Sequence, residues 1–132
     1  MRYRIKKETK PKLSTYGKYK AVALHERTIS SDQIFEEAAE GRPWSAGDIE
    51  GIMLRVSQIV NKHLRNGDRV RLNDWGMMKL EIESDKVDSP NDFKTKKHIR
   101  GVRLHVLPES NDGTQPLYND IEFETDKTFV EE

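Results

Sequence analysis

Hydrophobic positions recur with two different periods along this chain, and the change of period divides it. Ile49, Ile52, Met53, Val56, Ile59, Val60 and Leu64 keep a three-four spacing for more than four turns, which predicts a long amphipathic helix. Ser45 stands at its start with Asp48 three residues on, where a carboxylate favours the positive end of the helix dipole. Asn66-Gly67 closes it, Gly67 supplying the left-handed residue after the last turn. A shorter helix precedes it. Ser30 is its cap, Gln33 returns a bond in capping-box fashion, and Ile34, Phe35, Ala38 and Ala39 share a face before Gly41 and Pro43 stop it. The long stripe is too continuous for one short partner helix, so it predicts a central helix able to pack against a copy of itself.

Beyond Gly67 the period becomes two. Val70 and Leu72 alternate with Arg69 and Arg71, the turn chemistry of Asn73-Asp74-Trp75-Gly76 follows, and Met78, Leu80 and Ile82 form the return strand. Gly76 is the residue of that turn best able to take positive φ. A hydrophilic stretch from Ser84 to Lys97 comes next. Within it Ser89-Pro90-Asn91-Asp92 reads as a helix start, with Ser89 as cap and Pro90 at the first position. Val102, Leu104 and Val106 then alternate as a third strand until Pro108.

At the ends, Tyr3 and Ile5, and Tyr19, Ala21 and Ala23, alternate with basic residues, reading as edge strands whose lysines discourage edge-to-edge pairing. Ile121, Phe123 and Phe129 offer apolar positions for docking a tail strand, with a disordered tail as the other reading. The expected organisation is a basic extension over residues 1–27, a core over 28–108 and an acidic tail over 109–132.

Composition limits what these elements can bury. Of 132 residues only 34% are hydrophobic and 35% are charged, so a large single core is not expected. Burial then comes from a partner, or the ends stay loosely ordered. No apolar run approaches the roughly 18 residues of a membrane span. The charged N-terminus has no apolar stretch behind it, against a signal peptide, and a cytoplasmic location is the default expectation. With no cysteine there is no disulfide framework, thiolate metal site or thiol nucleophile.

The formal net charge is zero, yet unevenly built. Residues 1–20 carry eight basic groups against Glu8, residues 21–108 carry 14 of each sign, and residues 109–132 carry eight acids against Lys127. A neutral whole is therefore weak reason to exclude a polyanionic partner.

Catalytic chemistry is hard to assemble from these residues. His25, His63, His98 and His105 lack metal-ligand spacing, and no nucleophile elbow, P-loop or dinucleotide fingerprint is present. His63 lies on the helical stripe, where a partly buried packing role is expected, and His105 on a strand, facing the surface. No enzyme activity, cofactor, metal or small-molecule substrate is expected.

The basic residues say more. Lys86, Lys94, Lys96, Lys97, Arg100 and Arg103 oppose only Asp88 and Asp92 between residues 86 and 103, and Arg69, Arg71 and Lys79 lie on neighbouring strands. Such a patch suits phosphate contacts, which give affinity without sequence readout. A solvated sheet face is the competing reading.

The order of elements adds a further expectation. A helix, a long helix ended by glycine, the Val70-x-Leu72 pair, the aromatic-glycine turn Trp75-Gly76, a hydrophilic insert and a strand ending at Pro108 together resemble the bacterial histone-like HU/IHF family. The basic N-terminal extension and the tail look closest to the divergent HU-like DNA-binding proteins of Bacteroidetes. The resemblance implies an α+β, HU-like fold: two helices forming a dimer base, a three-stranded antiparallel sheet, extra N-terminal β-strands and an acidic C-terminal tail. It implies a homodimer that binds double-stranded DNA through the phosphate backbone and minor groove in the nucleoid, with no membrane partner. Arg69, Arg71, Lys86, Lys94, Lys96, Lys97, Arg100 and Arg103 would neutralise phosphates, and the N-terminal lysines would add flexible contacts. The chain departs from the family at the arm tip. It has Ser89-Pro90-Asn91 without a preceding Gly-Arg, so Pro90 is read as starting a helix and not as a wedge between base steps. An alternative is a protein-interaction module that keeps the scaffold and has lost DNA binding.

Overall fold

A computed structural model of the chain describes residues 1–72, 75–109 and 116–126. They fall into two compact units, one built from Met1–Ser30 with Tyr118–Glu132 and the other from Ser31–Leu117.

The first unit is a small sheet. Strands β1 (Arg2–Lys7) and β2 (Tyr19–Ala23) form an antiparallel pair in which Tyr3 faces Ala23 and Lys7 faces Tyr19. Strand β6 (Glu124–Thr125) joins the other side of β1 in parallel, so β1 is the middle strand and not an edge. The N-terminal ammonium donates to the Glu122 carbonyl, Thr125 Oγ1 donates to Tyr3 Oη at 2.6 Å, and Arg2 pairs with Glu26 and Asp126. Part of the acidic tail is thereby ordered against the basic leader. Over the described residues of this unit, nine Lys and Arg oppose six Asp and Glu. Phe129 lies outside the described residues.

The second unit holds helices α1 (Ser31–Ala39), α2 (Ala46–Arg65) and α3 (Thr95–His98) with strands β3 (Val70–Leu72), β4 (Gly76–Ser84) and β5 (Ile99–Pro108). Helix α2 begins on a reciprocal capping box. Ser45 Oγ accepts from the Asp48 amide at 3.1 Å and Asp48 Oδ2 accepts from the Ser45 amide at 2.9 Å. These bonds hold the Asp48 carboxyl below its usual range, the Ser45 amide contributing most. At its end, Gly67 takes φ +87, its amide donates to the Leu64 carbonyl, and the Asp68 amide reaches the His63 carbonyl. That is a Schellman closure, and it requires a residue content in the left-handed region.

Helix α2 packs on α1 and touches β3 and β4. Yet Leu64, 6% exposed, is the only buried hydrophobic side chain among the described residues. Ile52, Met53, Val56 and Ile59 on the predicted stripe remain 40–63% exposed. His63 does not pack on the stripe. Its side chain is 52% exposed and its Nδ1 lies 3.1 Å from Asp68 Oδ2, because the closing turn brings Asp68 back against the last helical turn.

Candidate nucleic-acid interface

The three-stranded sheet of the second unit, in the order β3-β4-β5, is the scaffold of the site. Antiparallel register places Met78 opposite both Val70 and Val106, Leu80 opposite Leu104 and Ile82 opposite Val102. With a period of two these residues share one face, leaving Arg71, Lys79, Glu81, Arg103 and His105 on the other. Gly76 lets the start of β4 lie close against β5. It sits at φ +140, and a Cβ there would lie 2.1 Å from the Leu107 carbonyl oxygen. No other residue fits so close to the neighbouring strand.

The charged face neutralises much of itself. Arg71 makes a bidentate pair with Glu109, 2.9 and 3.0 Å, which ties β3 to the chain leaving β5. Glu81 accepts from Arg103 at 3.1 Å and lies 3.5 Å from Lys79. The Arg103 bond holds the Glu81 carboxyl below its ordinary range against an opposing effect of desolvation, with His105 and Lys79 adding to the lowering. Arg100 occupies the irregularity where Glu83 faces Gly101 but Ser84 faces Ile99, and its side chain reaches Asp85 at 3.1 Å. Arg71, Arg100 and Arg103 therefore each carry a carboxylate partner. Arg69, Lys86, Lys94, Lys96 and Lys97 make no ion pair among the described residues.

The lysines gather on one structural insert. The Asp85 amide donates to the His98 carbonyl at 2.8 Å, closing the strand ends so that residues 86–97 form a compact cap. A single 3-10 turn, Pro90–Asp92, opens it with Pro90 at the first position. Ser89 precedes it in extended conformation, but its side chain makes no capping bond, unlike the sequence expectation. Helix α3 follows with Lys94 at its N-cap position, the Lys94 amide donating to His98 Nδ1 at 2.8 Å while Phe93 rests 5.4 Å from the His98 ring. Lys94, Lys96 and Lys97 thus ride on a fixed backbone. Arg69 and Arg71 do not join them. They stand by β3, whose partners on β4 end at Met78, and Ser84 lies six steps further along β4, about 20 Å away.

Sequence reasoning missed the acids that answer the arginines, since Glu81 and Glu109 become partners only once register and strand ends are known. It also did not anticipate that the apolar sheet face stays open, with Ile82, Val102, Leu104 and Val106 each at least half exposed. Among the described residues no His, Asp and Glu cluster could hold a metal ion, and no helix is long and apolar enough to cross a membrane.

Residues 1–115 match the model of the HU-HIG family, an HU domain fused to wHTH, Ig, or glycine-rich motif. The chain belongs to this HU-HIG family. No match to a curated protein was found. The family match runs from β1 through β5, so the N-terminal strands lie inside the HU-HIG region along with the helices and the lysine-bearing cap. The mixed α and β architecture is consistent with an HU-like fold.

Proposed function

We propose that this HU-HIG protein is a nucleoid-associated, architectural DNA-binding protein of low sequence specificity that works as a homodimer and has no enzymatic activity. The observation that carries this reading is the cap over residues 86–97, where Lys94, Lys96 and Lys97 are held on fixed backbone and, with Lys86, make no ion pair among the described residues. Lysines in that arrangement give charge contacts to phosphate and carry no base readout. Arg69, Arg71, Arg100 and Arg103 complete the proposed contact set, with the three paired arginines reaching phosphate only by exchanging a carboxylate for it. The unpartnered apolar faces of α2 and the β4–β5 sheet support dimerisation, since a second copy would bury both.

Pro90 is engaged in starting a 3-10 turn, which supports phosphate binding over wedge-driven bending. The alternative of a protein-interaction module draws on the same self-neutralised sheet face. Reversing charge with Lys96→Glu and Lys97→Glu separates the two. Fluorescence anisotropy with several unrelated duplexes should show all affinities falling about equally. Unaltered affinities would remove the cap from the interface, and loss confined to one duplex would overturn the low-specificity reading.

A further inference from the structure

Helix α2 carries a second stripe besides its apolar one. Arg55, Gln58, Lys62 and Arg65 follow one another at spacings of three, four and three residues, which puts them on one face. Ile49, Ile52, Val56 and Ile59 repeat with the same period on the opposite side. All four members of the polar stripe are exposed. The fifteen helical residues from Gly51 to Arg65 contain no carboxylate, in a chain whose acidic and basic residues are equal in number. Asp48 and Glu50 precede that stretch, and Asp48 is held in the capping box.

Helix stability explains only part of this stripe. Lys62 and Arg65 lie in or beside the last turn, where cations favour the negative end of the dipole. Arg55 stands ten residues before Arg65, beyond the reach of that effect. A merely solvated face would gain from carboxylates three or four residues from each cation, and the helix offers none. Lys62 and Arg65 line both of two hollows, one of about 430 Å³ with Gln58 and Asn61, the other of about 450 Å³ with His63, Asn66 and Asp68. Asp68, the single carboxylate of the two, is taken by His63 Nδ1 at 3.1 Å. Among the described residues Lys62 and Arg65 make no ion pair, and Arg55 donates only to the neutral Gln58, at 3.4 Å.

Length decides what such a stripe can hold. Ten residues at a rise of 1.5 Å set Arg55 and Arg65 about 15 Å apart along the axis. Over that length each strand of a duplex presents about four phosphates, whereas a compact anion held by Lys62 and Arg65 would leave Arg55 unused. We propose that Arg55, Lys62 and Arg65 form a second phosphate-contact surface, on the face of α2 opposite its apolar stripe, and that its ligand is the phosphodiester backbone of duplex DNA. The surface rests on the DNA-binding reading for its partner, and it is additional to the lysine cap at residues 86–97. Gln58 and Asn61, on the same side, supply neutral amide donors that suit phosphate oxygens and carry no base readout.

The test uses the full chain and a labelled random duplex, titrated from about 50 to 200 mM salt. With Arg55→Gln, Lys62→Gln and Arg65→Gln together, three phosphate contacts are lost, so the log–log salt slope should shrink by about 2.7 and affinity near 0.1 M salt should fall at least about tenfold. Arg55→Gln alone lies far from the helix end and should shrink the slope by about 0.9, so the test survives misfolding of the triple variant. Lys62→Arg keeps the charge and should keep the slope of the unaltered chain. Circular dichroism identifies any variant that has lost its helices and gives its melting temperature. A lower melting temperature with an unchanged slope would assign these cations to the helix dipole and overturn the surface. Unchanged slope and affinity in folded variants, while Lys96→Glu with Lys97→Glu weakens binding, would overturn it too and leave the DNA-binding reading standing. No binding by the unaltered chain at the lowest salt would overturn both.

Discussion

Gly76 and Glu81 show how much single residues decide in the second unit. Gly76 combines φ +140 with a neighbouring carbonyl that leaves no room for a side chain. Gly76→Ala should therefore cost at least about 2 kcal/mol of stability, read from urea denaturation, because β4 and β5 must move apart at Leu107 to accept it. A loss below about 0.5 kcal/mol would mean that the β4–β5 pair has slack there. Glu81 links stability to pH. Its carboxyl is held below its ordinary value of 4.5 in the folded chain, so its contribution is present above that value and fades as pH falls through the lower folded one. Glu81→Gln should make acid unfolding less steep below pH 4.5 and, at neutral pH, free Arg103 and Lys79 so that DNA binding tightens. Unchanged acid sensitivity would show the pair to be energetically silent. Gly67 and Gly76 were readable from sequence because turn chemistry is local. Glu81 as a partner of Arg103 was not, since 22 residues and an unknown register separate them.

At the scale of elements, the helices and strands of the second unit followed the hydrophobic period closely. The α2 stripe and the switch to alternation at Val70 are repeated signals, and each had capping or turn residues at its ends. The hydrophilic stretch after Ser84 was harder, because a short 3-10 turn and a four-residue helix carry no period of their own. Only the Ser89-Pro90-Asn91-Asp92 start pattern marked the spot. The position of Pro90 at the start of that turn yields a prediction: Pro90→Ala should leave DNA affinity within about twofold and any DNA bend unchanged, measured by anisotropy and by energy transfer across a doubly labelled duplex. Loss of a pronounced bend would instead give Pro90 the wedge role. The pairing of β6 with β1 was beyond the sequence, since two residues are too few to show alternation and a parallel partner 122 residues away has no local signature.

For the whole molecule, neutrality and poor burial are the two facts to reconcile. The zero net charge conceals a basic leader and an acidic tail, parts of which meet in one small sheet. The shortage of core is met, in this account, by a second copy covering the open stripe of α2 and the apolar sheet face. Light scattering at micromolar concentration should then give about twice 15.4 kDa, and a stable monomer would contradict the role assigned to those faces. The central claim is that cations fixed on this scaffold bind DNA through its phosphates, and a salt titration of the unaltered chain on random duplex tests it most directly. Five nominated cations lack carboxylate partners among the described residues, so log affinity should fall linearly with log salt at a slope of about −4 or steeper. Absence of binding at about 50 mM salt, or binding indifferent to salt, would contradict it.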